Sequence, residues 1–168
     1  MALEQWDTAI PILEALSGSY PESVEARDLL LYALQARARS HLLQGNQGRA
    51  MLDLDRAYQI DPTSRNIRRN LISVYAAAAQ ALIKEGDTEG AEQAFRKALD
   101  LDTSRRDIRR ALGSTIVARG KAMEDEGRFL EALNFYKRAL DVDSNMLDAH
   151  LLIGQLYYSR EDFELARH

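Results

Sequence analysis

Apolar residues recur every three or four positions along almost the whole chain. Leu30, Leu34 and Ala38 follow this spacing, and residues 71–83 repeat it. Such spacing places the apolar side chains on one face of an amphipathic helix, and no useful length of sequence alternates with period two as a strand would. The pattern therefore predicts an all-α protein.

Glycine and proline mark the ends of these helices. Gly45, Gly86 and Gly127 each follow a long amphipathic stretch, where a left-handed residue commonly ends a helix. Pro21 and Pro62 lie between helical stretches, where proline ends one helix without harming the next. The predicted helices cover residues 4–17, 23–44, 47–60, 64–85, 88–101, 105–126 and 129–142, and a last pair begins near residue 146.

The first predicted helix contains a proline. Pro11 is tolerated in the first turn of a helix, because its missing N–H needs no helical partner there. The helix therefore either starts near Asp7 or Thr8, or it runs through Pro11 with a kink.

The chain repeats itself every 41 residues. The three glycines keep this step, and so do three further columns. These columns are Ala50, Ala91 and Ala132; Ala57, Ala98 and Ala139; and Asp61, Asp102 and Asp143. A fixed period of this length indicates stacked helical units, because one helix pair cannot bury its apolar face alone. We therefore expect antiparallel helix pairs that stack on one another.

Residues in several repeats also share a two-helix pattern. The first helix of the last repeat carries His150, Ile153, Gly154 and Tyr157, with Ala166 nine residues later. Second helices carry Ala91, Phe95 and Ala98 with Thr103; Ala132, Tyr136 and Ala139; and Ala50, Ala57 and Pro62. These landmarks resemble the tetratricopeptide repeat family. The resemblance spans nearly the whole chain and implies a right-handed superhelical solenoid of stacked antiparallel helix pairs.

The repeat is longer than the family's period of 34 residues, which only the step from Phe129 to Phe163 equals. Seven extra residues add about two helical turns and rotate the apolar face by only ~20°. The small-residue column Ala38, Ala79, Gly120 and Gly154 aligns the long helices from their ends backward. The extra turns therefore fall at residues 24–30, 65–71 and 106–112.

We expect residues 1–168 to form one repeat domain. Its repeats cover about residues 1–21, 22–62, 63–103, 104–144 and 145–168, and the first and last are partial. The register assigns the opening residues to a second helix, and the sequence stops inside another helix. We therefore expect a piece of a longer array or of a larger protein, whose exposed ends are candidate surfaces for a homodimer.

The extra turns carry arginines at equivalent positions. These are Arg27, Arg68 and Arg109; Arg69 and Arg110; and Arg65 and Arg106. Positive charge at a helix N-terminus opposes the helix dipole at ~0.3–1 kcal/mol per residue, so a negative group should offset it. One hypothesis is an anion ridge for an acidic protein, phosphate or nucleic acid. The other is pairing with the nearby Asp61, Asp100, Asp102, Asp141 and Asp143.

The resemblance implies a second candidate surface. In proteins of this family the first helix of each pair lines a concave groove that holds a peptide or a partner helix. By family register the lining residues are Tyr32, Gln35, Arg39 and Leu42; Ser73, Ala76, Gln80 and Ile83; Ser114, Val117, Lys121 and Glu124; and Asp148, Leu151, Gln155 and Tyr158. The alternative is that these residues are solvated or contact a further repeat.

Composition excludes most other classes of function. The chain has no cysteine, and its three histidines are isolated in sequence. No spacing typical of a metal site, a phosphate loop or a catalytic constellation is present, so we assign no catalytic residue, metal or cofactor and expect no enzyme. A net charge of −4 makes nucleic acid the less favoured partner, reached only through the ridge.

These observations favour a scaffold that binds a protein or peptide in the groove. The alternatives are an anion-binding surface on the ridge, or a structural spacer or oligomerisation segment. The N-terminus does not resemble a signal peptide, and no run of ~18 apolar residues could span a membrane. We therefore expect a cytoplasmic protein that makes no membrane contact.

Overall fold

The computed structural model describes the backbone of residues 2–159 and the side chains of residues 5–158. Over this range the chain forms eight α-helices and no strand, so the all-α prediction is confirmed. They are α1 (Ala2–Ser19), α2 (Val24–Leu43), α3 (Gln47–Ile60), α4 (Arg65–Glu85), α5 (Thr88–Leu101), α6 (Arg106–Asp125), α7 (Phe129–Val142) and α8 (Leu147–Ser159). The predicted second helix of the last pair lies outside the described residues.

The helix bounds follow the sequence pattern closely. α3, α5 and α7 begin and end at the predicted residues, and the bounds of the helices from α1 to α7 differ by two residues at most. α1 runs from Ala2 through Pro11, so the proposed start near Asp7 or Thr8 is wrong. Pro11 is exposed, where water can hydrate the carbonyl group that lacks its helical partner.

The three repeated glycines end α2, α4 and α6 in the left-handed conformation, as predicted. Their φ angles are 76° at Gly45, 85° at Gly86 and 76° at Gly127. At the first of them, the N–H of Asn46 donates to the carbonyl oxygen of His41 at 2.8 Å. This bond satisfies a carbonyl group that the end of the helix leaves without a partner. Because only two or three residues separate the two helices, each such pair is antiparallel.

The aspartate column shapes the opposite turns, which follow the second helices. Oδ1 of Asp61 accepts from the backbone N–H of Thr63 at 3.0 Å, and Oδ1 of Asp102 accepts from that of Ser104 at 2.9 Å. A side chain that bonds two residues ahead replaces a backbone turn bond. The hydrogen bond from the Thr63 hydroxyl also holds the pKa of Asp61 below its usual range.

The chain divides into two compact units, with the boundary between Ala78 and Ala79 in α4. In the N-terminal unit α2 packs against α1 and α3, around a core that includes Ile10, Leu34 and Ile67. In the C-terminal unit α6 packs against α5 and α7, and α8 packs against α7. The single-domain organisation and the right-handed superhelix stay predictions.

Small residues let the helices of a pair approach closely. A Cβ atom on Gly120 of α6 would lie 2.4 Å from Cε1 of Tyr136 in α7. Tyr136 is fully buried and its hydroxyl donates to Glu124, so burial and this carboxylate raise the pKa of Tyr136. Tyr75 and Phe95 are buried as well, whereas Tyr157 is only half-buried.

Replacing a core aromatic should destabilise the fold strongly. Phe95→Ala should lower the free energy of unfolding by about 3–5 kcal/mol, because it leaves a cavity between buried alanines. Denaturant unfolding followed by circular dichroism measures the change. Leu130→Ala is the control, because Leu130 is 74% exposed on α7 and its loss should change stability by less than about 0.5 kcal/mol. Equal losses would contradict the assignment of Phe95 to the core.

Candidate partner-binding surfaces

Arg68 and Arg109 hold turns together. Nη2 of Arg68 donates to the carbonyl oxygen of Pro62 at 3.0 Å, and Nη2 of Arg109 donates to that of Thr103. Both acceptors lie six residues before the arginine, in the turn that precedes its helix. Pairing of these two arginines with aspartates is therefore wrong: a backbone carbonyl group, itself rich in negative charge, takes that place.

The remaining ridge arginines differ from one another. Nε of Arg27 lies 3.7 Å from Oδ1 of Asp28, and Arg69 donates to Oδ1 of Asn66 at 3.0 Å. Arg65, Arg106 and Arg110 are exposed and form no hydrogen bond or ion pair with another described residue. Among the ridge arginines, only these three guanidinium groups are therefore fully available to a ligand.

Arg106, Arg109 and Arg110 line one open cleft of about 910 Å³ between the start of α6 and the turn before α8. Three aspartates, Asp107, Asp143 and Asp148, line it too, so its formal charges balance. Arg105 binds Asp107 at 2.7 Å and 2.9 Å and lowers the pKa of Asp107 to about 2. The ridge in this unit is therefore a mixed-charge cleft rather than a uniformly positive surface.

In the N-terminal unit the predicted groove residues lie on the accessible side of α2. Tyr32 is 65% exposed, and its ring packs edge-to-face against Trp6 at 5.9 Å between centroids. Arg39 is exposed and Gln35 is half-buried. The Gln35 amide donates to the carbonyl oxygen of Leu31 and accepts from Asn66, so its orientation is fixed.

In the C-terminal unit one groove residue is misplaced. Val117 is only 6% exposed, because it turns toward the packed side of α6, and it cannot line an open surface. Glu124 is half-buried, and the other predicted residues of this unit are exposed: Gln80, Ile83, Ser114, Lys121, Asp148, Leu151, Gln155 and Tyr158. The assignment of Val117 to an open surface is therefore wrong, and a groove lined by the exposed residues stays a prediction.

Two buried charge networks escaped the sequence analysis. In the N-terminal unit Asp53 is buried and binds Arg37 through both oxygens, at 2.6 Å and 2.9 Å. Arg37 also donates to Asp7 at 2.9 Å. The hydrogen bond to Asp53 raises the pKa of Arg37 above its usual range. Asp53 could not be recognised from the repeat pattern, because Ala94 and Phe135 occupy the equivalent positions in the next two repeats.

In the C-terminal unit Glu92 of α5 has a side chain that is almost fully buried. It accepts hydrogen bonds from Arg96 on its own helix at 3.0 Å, from Arg119 of α6 at 2.6 Å, and from Arg138 of α7. Burial alone would raise the pKa of Glu92, but the hydrogen bonds from Arg96 and Arg119 hold it below its usual range. The guanidinium groups of Arg119 and Arg138 lie over the Phe135 ring, with their Cζ atoms 4.9 Å and 5.1 Å from its centroid.

Neither network resembles a metal centre: no cluster of three His, Asp or Glu side chains able to hold an ion occurs among the described residues. Both networks consist instead of acids satisfied by arginines, which is the usual condition for burying a charge.

No helix within residues 2–159 is long and apolar enough to cross a bilayer.

Helix pairs of this kind define the class of helical repeat proteins. Two family models specify which repeat family this chain represents. Models of the tetratricopeptide repeat match residues 72–105 and 117–167. The chain belongs to the tetratricopeptide repeat family. The first match begins at Ile72, so residues 65–71 of α4 lie outside it. Membership makes the chain a protein-interaction scaffold in general terms.

A solved structure supports the fold. A tetratricopeptide repeat protein from Bacteroides fragilis superposes with a TM-score of 0.53 at 15% identity, over 94% of this chain and 81% of that one. The N-terminal domain of stress-induced protein-1 from C. elegans is 17% identical with a TM-score of 0.40, over 80% of this chain and 98% of that one. No curated protein matches the sequence.

Removing the charge of Glu92 should destabilise the protein at neutral pH and change its response to acid. Glu92→Gln leaves three arginines without their counter-charge and should lower the free energy of unfolding by about 3 kcal/mol at pH 7. Because folding lowers the pKa of Glu92, its contribution is lost as the pH falls below about 4.3, the ordinary glutamate value. Denaturant unfolding measured between pH 7 and pH 3 should therefore show the two proteins converging. A constant difference would refute this role for the ionised carboxylate.

Proposed function

We propose that this chain binds an extended peptide or a partner helix along the exposed faces of its first helices. The observation that carries the proposal is the exposure of large apolar side chains on these helices, among them Tyr32 on α2 and Leu151 on α8. Exposed apolar groups that cluster with a few polar groups are typical of interaction sites. Each compact unit offers its own stretch of this surface.

On α2 the anchor is Tyr32. Contact with Trp6 restrains its ring, so a partner that packs against it pays little side-chain entropy. Gln35 and Arg39 follow on the same side of the helix at spacings of three and four residues. Gln35 can bond a peptide group, and the exposed Arg39 suits a carboxylate. This stretch fits an apolar side chain followed by an acidic one.

On α8 the surface contains Leu151, Gln155 and Tyr158, spaced by four and three residues. Such spacing places the three side chains on one face. Leu151 is 54% exposed, and Lys121 adds an exposed positive charge on α6 of the same unit. The chemistry again favours a ligand that combines apolar side chains with a carboxylate.

Selection of random peptides displayed on phage against the purified chain would test this function. Binding of a selected synthetic peptide is then measured by calorimetry. Tyr32→Ala or Leu151→Ala should weaken it at least tenfold, which corresponds to about 1.4 kcal/mol. Leu130→Ala is the matched control, because Leu130 is at least as exposed but lies on the second helix α7. Unchanged affinity in both groove variants would refute the proposal.

A second candidate function is anion binding at the ridge, which the unpaired state of Arg65, Arg106 and Arg110 favours. In the C-terminal unit two of these arginines line the cleft before α8. Guanidinium groups without internal partners can bind carboxylate or phosphate through two parallel hydrogen bonds. Arg68 and Arg109 belong instead to the turns.

The two groups of arginines should therefore respond differently to substitution. Arg106→Ala with Arg110→Ala should reduce the affinity for a polyglutamate peptide and flatten its salt dependence, while thermal unfolding stays unchanged. Arg68→Ala, which removes a bond to Pro62, should lower the free energy of unfolding by about 1 kcal/mol and leave binding unaffected. Single-stranded DNA serves as a second probe. Unaltered affinity for both probes in the double variant would exclude the ridge as a binding surface.

A further inference from the structure

The mixed-charge cleft and the predicted groove of the C-terminal unit meet on one surface. Ser114 and Asp148, which the family register assigns to the groove, both line the cleft beside Arg106 and Arg110. Arg106, Arg110 and Ser114 follow one another at four-residue steps on α6, so their side chains share one side of the helix. A ligand in the groove can therefore reach the ridge arginines of this unit.

The cleft lies at the start of both α6 and α8. α6 and α7 are antiparallel, and the four residues between α7 and α8 turn the chain back again. α8 therefore runs in the same direction as α6, with Leu147 and Asp148 in its first turn at the cleft. Leu151 and Tyr158 follow about 5 Å and 15 Å further along the helix axis. A peptide that fills the cleft can continue along α8 past both side chains.

Three of the six charged side chains that line the cleft are engaged within the chain. Arg109 donates to a turn carbonyl group, and Asp107 binds Arg105. Oδ1 of Asp143 accepts from the backbone N–H of Asn145 at 3.2 Å. The other three are exposed and form no hydrogen bond or ion pair with another described residue: Arg106, Arg110 and Asp148. The cleft therefore offers a ligand two positive charges and one negative charge.

Asp148 is free because of one difference between successive repeats. Its equivalent 41 residues earlier is Asp107, whose two oxygens bind Arg105 at 2.7 Å and 2.9 Å. The residue in the place of Arg105 is Met146, which is 8% exposed and cannot form an ion pair. The turn before α8 therefore exposes a carboxylate that the turn before α6 neutralises.

A carboxylate beside two guanidinium groups restricts the charge of the ligand. Acidic side chains of a peptide can bind Arg106 and Arg110, but a uniformly acidic segment also brings like charge to Asp148, which opposes binding. A basic side chain in the same segment removes this repulsion and pairs with Asp148. Leu147, which is 67% exposed in the same cleft, adds an apolar contact.

We propose that Asp148 determines which peptides the groove of the C-terminal unit binds. The preferred peptide carries acidic side chains for Arg106 and Arg110 and a basic side chain for Asp148. Its apolar side chain, about two to five residues away in an extended chain, packs against Leu151 or Tyr158. This inference rests on the proposed binding of a peptide along the first helices, and it adds the charge pattern of that peptide.

Three labelled peptides of equal length would test this selection. They share an apolar segment of alternating leucine and alanine and begin with Glu-Lys-Glu, Glu-Gln-Glu or Glu-Glu-Glu. Fluorescence anisotropy should give the highest affinity for the Glu-Lys-Glu peptide and the lowest for the Glu-Glu-Glu peptide. Asp148→Asn should lower the ratio of these two affinities at least tenfold, because it removes the pairing in the first complex and the repulsion in the last.

Asp141→Asn is the matched control. Asp141 is also exposed and carries the same charge, but it lies on α7 and does not line the cleft. Its substitution should leave the order of affinities unchanged. Thermal unfolding of the Asp148→Asn variant should match that of the native chain, because Asp148 binds no other described side chain.

An order of affinities that Asp148→Asn does not change would overturn the inference. Peptide binding in the groove would still stand if Leu151→Ala weakened all three peptides at least tenfold. Insensitivity of all three to Leu151→Ala would refute the groove itself, and the selection with it. Tightest binding of the Glu-Glu-Glu peptide to the native chain would also overturn the inference, because the cleft would then act as a uniformly basic surface.

Discussion

The close approach of paired helices at small residues is the contact on which the rest of the structure depends. At Gly120 there is no room even for a methyl group beside Tyr136, and the alanines of the two repeated columns in α3, α5 and α7 are completely buried. Helices this close exclude water from the layer of side chains between them. A unit of two helices is too small to build a thicker core than this layer. The left-handed glycines and the aspartate turns serve this contact, because each returns the chain at the distance that packing requires.

Arginine has three distinct uses in this chain. Arg68 and Arg109 satisfy carbonyl groups in turns, Arg37 and Arg119 neutralise buried acids, and Arg65, Arg106 and Arg110 remain open to a ligand. The periodic arrangement of arginines does not distinguish these uses, since all three can occur at repeated positions. Their surroundings decide: the half-buried guanidinium groups of the first two uses have internal acceptors, whereas the three exposed groups of the third use have none among the described residues.

The helices could be read from the sequence almost to the residue, because apolar spacing and end residues are local properties. Gly45, Gly86 and Gly127 show this, and so does the match of α3, α5 and α7 to their predicted bounds. The surfaces were harder to predict. Val117 sits at a boundary between faces, where a small rotation of α6 turns exposure into burial. Asp53 and Glu92 do not repeat, and the partner of Arg68 is a backbone carbonyl group that every sequence possesses.

The position of Glu92 has a consequence for how the C-terminal unit opens. One carboxylate of α5 binds arginines of α6 and α7 as well as its own helix, so three consecutive helices share a single acceptor. If α7 alone separated, Glu92 would lose its bond to Arg138 while it stayed buried with Arg96 and Arg119. Local unfolding should therefore not separate these helices one at a time. The amide hydrogens of α5, α6 and α7 should exchange with solvent as a single cooperative unit.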